Sequence, residues 1–140
     1  ICDAPSTMKE LATLVALVQS LVVAIGDRYD QGAPIQLLKP WILRENKWRA
    51  VRHGLDAELI CDNEGDHGAL RDMLPNLIEE LEPTAERLGC LDHLRGVLDI
   101  LDNGGSSERQ RAVYAKMKRL PDVVASLTGE LRESVDSLPA

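Results

Sequence analysis

Apolar residues recur at helical spacing through most of the chain. The first run follows Thr7-Met8-Lys9-Glu10, which has the form of a capping box in which Thr7 and Glu10 satisfy free amides. It predicts a helix that ends before Gly32 and is apolar around much of its circumference, so we expect it at the centre of the core. The run Leu11–Ile25 falls short of the roughly 20 apolar residues that span a bilayer, so no membrane segment is expected.

The remaining patterns predict about five further helices. Pro40 suits the first turn of a second helix, which runs to about His53 and stops at Gly54. A short extended piece within residues 58–62 precedes a polar turn over residues 63–68. Further helices are predicted over residues 69–88, 91–101, 107–118 and 121–137, the third of these opened by a capping box at Ser107. The fold class is mainly α, with residues 1–140 forming a single region of about six helices and a short N-terminal strand remnant at residues 1–3.

Composition supports packed helices inside a reducing compartment. The chain has two Trp, two Tyr and no Phe, so Leu, Val, Ile and Ala must build the core. Its three cysteines are widely spaced and odd in number, which favours free thiols and a cytoplasmic location over disulfides. None lies near a zinc-type ligand set, and no metal site is predicted from the cysteines.

The charge distribution points to one basic segment in an acidic chain. The net charge of −7 disfavours nucleic acid as a partner. The segment from Lys39 to His53, however, carries five cations against the single acid Glu45, and its charge of +4 leaves −11 for the rest. The cations are Lys39, Arg44, Lys47, Arg49 and Arg52. An anionic partner is therefore expected on this second helix.

Helical geometry groups part of the basic segment on one face. At 100° per residue, Glu45, Arg49 and Arg52 lie within about 60° of one another, and Trp41 and Trp48 share the adjoining face. Two interpretations remain open from spacing alone. One is an anion site, because guanidinium groups hold phosphate or carboxylate oxygens with paired hydrogen bonds. The other is a solvated salt-bridged face whose two tryptophans lie in the core.

The run Leu43–Ile60 resembles the late motif of the type 2 glutamate–cysteine ligase family, close to E-N-R-W-R-A-x-R-Y-G-L-D-A. It departs from that motif at Lys47, where Arg is usual, and at His53, where Tyr is usual. Residues 1–4 resemble the end of the family's R-x-x-D strand, Leu11–Ile25 is similar to the long helix that follows, and residues 103–111 resemble its G-T-G-A-x-R-Q-R turn. The resemblance covers essentially the whole chain.

The resemblance implies the C-terminal part of an ATP-dependent carboxylate–amine ligase with a glutamine synthetase-like fold. The family joins a carboxylate, typically of glutamate, to an amine such as that of cysteine through an acyl phosphate. ATP and magnesium would serve the complete enzyme, whose magnesium-binding sheet lies upstream, and neither is expected to bind this piece tightly. An isolated piece is expected to be inactive.

By motif position, the resemblance places Glu45, Asn46, Arg49 and Arg52 at the nucleotide or substrate pocket. Arg49 and Arg52 are the catalytic candidates because they would meet phosphate or a substrate carboxylate. Arg109 and Arg111 are weaker candidates, since an Arg in the first turns of a helix is more often exposed.

The expected partners are the missing catalytic part of the same protein and small amino-acid substrates, with no nucleic acid and no membrane; a homo-oligomer is left open. The alternative function is a non-enzymatic helical module that docks an acidic partner on the basic segment. A remnant that binds nucleotide without turnover is a third interpretation. A divalent-cation site at Asp62, Glu64, Asp66 and His67 is weaker than an ordinary acidic turn.

Overall fold

The computed structural model describes residues 5–137. Within them the chain forms six α-helices, a 3₁₀ turn at Gly54–Asp56 and a two-stranded hairpin. The helices are α1 (Met8–Asp30), α2 (Pro40–His53), α3 (Leu70–Arg87), α4 (Leu91–Asn103), α5 (Ser106–Met117) and α6 (Leu120–Asp136), and the strands are β1 (Glu58–Ile60) and β2 (His67–Ala69). The mainly α fold is confirmed, and the predicted strand remnant at residues 1–3 lies outside the described residues.

The chain divides into two compact units. Unit one contains the described residues up to Val18 and those from Cys90 onwards, and unit two contains Gln19–Gly89. Helix α1 is continuous and contributes residues to both units. That residues 1–140 form one region of a larger ligase stays a prediction.

Unit two places α2 and α3 on a small hairpin. Strands β1 and β2 pair antiparallel, with Leu59 opposite Gly68, and α2 contacts β1 while α3 contacts β2. Helices α2 and α3, strand β1 and the residue after the 3₁₀ turn supply the buried apolar side chains of unit two, which are Ile42, Ala57, Ile60, Ile78, Leu81 and Ala85. The predicted extended piece is confirmed as β1. Strand β2 was missed because its sequence, His67-Gly68-Ala69, continues a polar turn and has no strand pattern.

Gly54 ends α2 in a conformation that favours glycine. Its φ of 59° and ψ of −130° lie where a Cβ is strained, and its amide donates to the carbonyl of Ala50. The predicted helix end is therefore confirmed. The sharp turn carries the chain directly into the 3₁₀ turn and β1, both of which contact α2.

Unit one is formed by the start of α1 with α4, α5 and α6. At the start of α1 the predicted capping box is confirmed: Thr7 N donates to Glu10 Oε2 at 3.2 Å and Glu10 N donates to Thr7 Oγ1 at 3.1 Å. The capping box predicted at Ser107 is wrong by two residues. Gly105 is the N-cap, and its amide donates to Glu108 Oε2 at 2.7 Å. The reciprocal bond of a capping box does not form, because glycine has no side chain to accept it.

The prediction that α1 is a buried central helix is wrong for this chain. Its buried positions are the small or polar Thr13, Ala16 and Ser20, and in unit one Thr13 packs where a Cβ on Gly96 of α4 would stand 2.3 Å from its Oγ1. The large aliphatic side chains are exposed instead: Leu11, Leu14, Val15 and Val18 in unit one, and Val22 and Ile25 in unit two. The periodicity identified the apolar face of α1, but it does not show whether other residues of this chain bury that face.

By length and composition α1 would suffice to cross a membrane. Its most apolar window has a mean hydropathy of 1.7 and is 17% buried. The core helix of a soluble protein meets the same criterion, so the expectation of no membrane segment stays a prediction.

Candidate functional site

The basic residues of α2 are displayed at the surface of unit two. Arg44, Lys47 and Arg52 are exposed, and within residues 5–137 none of the three has a hydrogen-bonding or ion-pair partner. Lys39, which precedes the helix, donates through Nζ to the carbonyl of Asn63 at 3.2 Å. The helix therefore presents a positive surface whose charge is largely uncompensated by the described residues.

Arg49 is the one basic residue of α2 that the fold holds in place. Its Nε donates to Glu45 Oε1 at 2.9 Å, in the i,i+4 pair that the sequence indicated. Its Nη1 donates to the carbonyl of Glu58 at 3.1 Å and lies 3.4 Å from His67 Nδ1. Contacts from α2, β1 and β2 thus fix the guanidinium, and no group among residues 5–137 accepts from its Nη2.

Asn46 ties β1 to α2. Its Nδ2 donates to the carbonyl of Ile60 at 2.9 Å, and the amide of Ile60 donates to its Oδ1 at 2.8 Å. The side-chain amide therefore pairs with the edge of β1 that β2 does not use. Strand β1 also carries the Glu58 carbonyl that receives Arg49, so Asn46 and Arg49 bind the same strand.

A cavity of about 440 Å³ lies beside the Arg49 guanidinium, lined by Glu45, Trp48, Arg49, His53, Asp56 and Glu58. Trp48 meets His53 edge to face, with ring centroids 6.0 Å apart. Trp41 and Trp48 are 50% and 58% exposed, so the interpretation that placed both tryptophans in the core is wrong. The cavity combines a held cation, carboxylates and an exposed indole, which is chemistry that suits a polar ligand with an apolar part.

The carboxylates of this cavity differ in how far they are already paired. Glu45 binds Arg49, and Asp56 accepts from Arg71 Nε at 2.8 Å. Glu58 is exposed and uses its backbone carbonyl, not its carboxylate, to hold Arg49. Both signs of charge therefore face one cavity within unit two.

The acidic turn after β1 uses its first carboxylate internally. Asp62 Oδ1 accepts from the amides of Glu64, Gly65 and Asp66 at 2.8 to 3.0 Å. The Asp66 amide and its two neighbours hold the pKa of Asp62 below its ordinary value, against the opposing effect of burial. Among residues 5–137 no group of three or more His, Cys, Asp or Glu side chains is placed to hold a metal ion.

The structure gives Arg109 a role that the sequence did not predict. It lies in unit one at the junction of α1, α5 and α6, where Nη2 donates to Glu10 Oε1 at 2.6 Å and to Glu130 Oε2 at 3.0 Å. Its Nη1 donates to the carbonyl of Gly104. The expectation of an exposed side chain is wrong for Arg109, whereas Arg111 is exposed, with a 3.5 Å bond to Ser107.

The Arg109 cluster shifts the pKa values of Glu10 and Arg109. Burial raises the pKa of Glu10, but hydrogen bonds from Arg109 and Ser6 and the guanidinium charge outweigh it, so the pKa falls below 4.5. Burial likewise lowers the pKa of Arg109, and the carboxylates of Glu10 and Glu130 raise it on balance. No sequence signal could have found this cluster, because its members are about 100 and 20 residues apart.

Comparison with known proteins gives one consistent result. The family described as glutamate-cysteine ligase family 2 matches residues 1–137. A protein of Clavibacter michiganensis, named "Putative glutamate–cysteine ligase 2", is 45% identical over 134 residues, 95% of this chain and 35% of its own length. A protein of Thermobifida fusca with the same name is 44% identical over 130 residues, 93% of this chain and 33% of its own length.

The chain thus spans about a third of the length of the curated relatives that it matches. A relative from Rhodococcus jostii is matched over a similar share of its length, with 47% identity over 92% of this chain and 35% of its own length. The resemblance carried by the motif around Trp48 is thereby confirmed at the level of the family, whereas the individual site residues stay predictions.

Proposed function

Because the chain belongs to glutamate–cysteine ligase family 2, we propose that it forms one wall of the active site of an ATP-dependent carboxylate–amine ligase. The observation that carries the proposal is the Arg49 guanidinium, held by Glu45 and by the carbonyl of Glu58 beside a cavity, on a helix with further unpaired cations. An arginine fixed on two sides with donors remaining is suited to orient an anionic substrate.

The proposed reaction proceeds in two steps. A carboxylate oxygen attacks the γ-phosphorus of ATP and ADP leaves, which gives an acyl phosphate. The amine nitrogen then attacks the acyl carbon, phosphate departs, and the nitrogen loses a proton to solvent. Both steps concentrate negative charge on phosphoryl or acyl oxygens, so fixed cations lower their barriers.

The two catalytic candidates are assigned different tasks. Arg49 shares its cavity with Glu45 and Glu58, and a zwitterion that carries an ammonium group suits such mixed charge better than a bare polyphosphate does. We therefore assign Arg49 to a substrate carboxylate. Arg52 is exposed and has no carboxylate partner among residues 5–137, which favours contact with the more highly charged phosphates.

Glu45 and Asn46 complete the proposed site in supporting roles. Glu45 orients Arg49 through the Nε bond. Asn46 already uses its amide nitrogen and oxygen on Ile60, so its contribution is to hold β1 rather than to reach a ligand. Both act on the position of the guanidinium.

Magnesium would supply positive charge to such a reaction, but the described residues do not fit it. Residues 5–137 contain no group of carboxylates or imidazoles placed to bind a metal ion. The magnesium ligands would then belong to the part of the ligase outside this chain. It follows that the isolated 140 residues should not turn over ATP.

The exposed aliphatic side chains of α1 support the proposal that this chain is one part of a longer ligase. Between Leu11 and Gly26 the helix carries no charged residue, yet its large side chains remain exposed. A wide uncharged face of this type is characteristic of a helix that packs within a larger core. We propose that the remaining two thirds of the ligase cover it. Free thiols at Cys61 and Cys90 agree with a cytoplasmic enzyme.

The test is kinetic and uses the complete protein. We expect Arg49→Ala to reduce glutamate-dependent phosphate release about a hundredfold, with KM for the carboxylate substrate rising more than KM for ATP. Arg52→Ala should show the opposite split in KM. Arg28→Ala, an exposed arginine at the end of α1, is the control. Retained activity in the Arg49→Ala, Arg52→Ala double variant with an unchanged circular dichroism spectrum would overturn the assignment.

The rival proposal, a non-enzymatic module that docks an acidic protein, rests on the uncompensated charge of α2. It requires binding without turnover. Glutamate-dependent phosphate release by the complete protein would rule it out, whereas inactivity combined with salt-sensitive binding of an acidic polypeptide would favour it.

A further inference from the structure

His67, the first residue of β2, contacts the guanidinium of Arg49. Its Nδ1 lies 3.4 Å from Arg49 Nη1, the nitrogen that also donates to the carbonyl of Glu58 at 3.1 Å. The register of the hairpin brings it there, because His67 pairs with Ile60 of β1, whose main chain is bonded to Asn46. His67 is not among the residues that line the cavity beside Arg49, so it acts on a ligand there through the guanidinium rather than by contact.

The contact determines which nitrogen of the imidazole carries the hydrogen. A guanidinium nitrogen has donors and no acceptor, so His67 Nδ1 must accept the bond from Arg49. An imidazole nitrogen accepts only when it carries no proton. The ring that makes this contact is therefore neutral, with its hydrogen on Nε2. His67 thus satisfies a donor of Arg49 without adding charge beside it.

A neutral acceptor at this position preserves the attraction of Arg49 for an anion. Arg109, by contrast, is held by two carboxylates, whose charge exceeds its own. Among the groups that hold Arg49, the carboxylate of Glu45 alone is charged, because the other two are a main-chain carbonyl and the ring of His67. The guanidinium is therefore oriented by three groups, while a single carboxylate opposes its charge.

We infer that His67 is a positioning residue, which orients Arg49 beside the cavity without neutralising it. The inference rests on the proposed function, because it affects catalysis only if Arg49 binds a substrate carboxylate. A carboxylate at position 67 would accept from the same nitrogen but would repel that substrate. The charge of the acceptor at position 67 therefore sets the affinity of the site.

The test replaces His67 in the complete protein by two side chains of equal shape and different charge. Asn offers a neutral oxygen close to the place of Nδ1, and Asp offers a charged one. We expect His67→Asn to raise KM for the carboxylate substrate by less than about twofold and His67→Asp to raise it about tenfold. KM for ATP should change less, and kcat should stay nearly the same. His67→Ala, which removes the acceptor, should raise KM about threefold.

The control makes the same two substitutions at His93, an exposed histidine of α4 in unit one. They should leave KM for the carboxylate substrate unchanged. Equal values of KM in the His67→Asn and His67→Asp variants would overturn the inference, because they would show that the charge of the acceptor has no effect. Failure of the proposed function would be recognised separately, by an unchanged KM for the carboxylate substrate in Arg49→Ala.

Nitrogen NMR examines the contact without turnover, on the complete protein with histidine labelled at its ring nitrogens. The signals of His67 are assigned by their loss in His67→Asn and recorded at about pH 8.5, where imidazole is ordinarily neutral. We expect the hydrogen on Nε2 and a change in the Nδ1 shift in Arg49→Ala. A hydrogen on Nδ1, or an Nδ1 shift that Arg49→Ala leaves unchanged, would show that the bond is not made and would contradict the inference.

Discussion

Arg49 and Arg109 are both arginines that bond a glutamate on a neighbouring helical turn or helix, yet the fold uses them in different ways. Arg49 meets one carboxylate and retains an amino group beside an open cavity. Arg109 meets two carboxylates, a serine hydroxyl and a carbonyl, so all three of its nitrogens are engaged. The number of carboxylates per guanidinium, rather than its burial alone, separates a residue that can attract an anion from one that joins helices.

The comparison extends to the surroundings of each residue. Exposed cations on the same helix flank Arg49, and its cavity is lined by both signs of charge. The carboxylates of Glu10 and Glu130 exceed the charge of Arg109, so the local potential favours no further anion. The larger cavity in unit one, about 540 Å³, adjoins Arg109, but its size does not make it the better anion site.

The largest expected effect separates the two arginines by activity. In the complete protein, Arg49→Ala should lower the rate of phosphate release about a hundredfold, whereas Arg109→Ala should change the rate per folded molecule less than twofold. Steady-state assays on both variants, normalised to the folded fraction, measure the difference. Equal losses in the two variants would show that Arg109 also serves the reaction and would end the distinction.

The next effect separates them by stability. Arg109→Ala leaves Glu10 and Glu130 close together without their shared cation, and we expect a loss of about 2 kcal/mol in the free energy of unfolding. That figure is discounted for partial exposure of all three side chains. Arg49→Ala should cost less than about 1 kcal/mol, the range of an i,i+4 pair at a surface. Urea titrations of both variants provide the measurement.

Asn46→Ala sharpens the proposal that Arg49 is positioned through β1. Removal of the amide leaves Ile60 N and O without their partner, at a cost of about 1 to 2 kcal/mol. Faster hydrogen exchange of the Ile60 amide and a rise in KM for the carboxylate substrate are expected together. A change in exchange with no change in KM would make Asn46 purely structural. Asn63→Ala, which removes two exposed hydrogen bonds in a loop, is the control.

The smallest effect is a dependence of unit one on pH. The pKa of Glu10 lies below its ordinary value of 4.5 in the folded chain, so its stabilising contribution is present above that value. The contribution is lost as the pH falls through the lowered pKa. Stability measured from pH 6 to 3 should decline less steeply in Glu10→Gln than in the unmodified protein. Parallel curves would show that the carboxylate does not act in its charged form.

The sequence by itself determined the helices, and it also placed the chain in its family. Each of the six helices was predicted within a few residues, because a period of 3.6, capping residues and glycine stops are local signals. The motif around Trp48 was sufficient to identify the family, because it combines specific residue types at fixed spacing. The Glu45–Arg49 pair was also predictable, since an i,i+4 contact depends only on helix geometry.

Only the tertiary structure decided which faces are covered and which charges are neutralised. The sequence could not show that β1 receives Asn46 and Arg49, that Arg109 joins three helices, or that the tryptophans are exposed. It could not show either that α1 buries Thr13, Ala16 and Ser20 in place of its large side chains. These outcomes depend on contacts between residues far apart in the chain, whose distances no local pattern encodes.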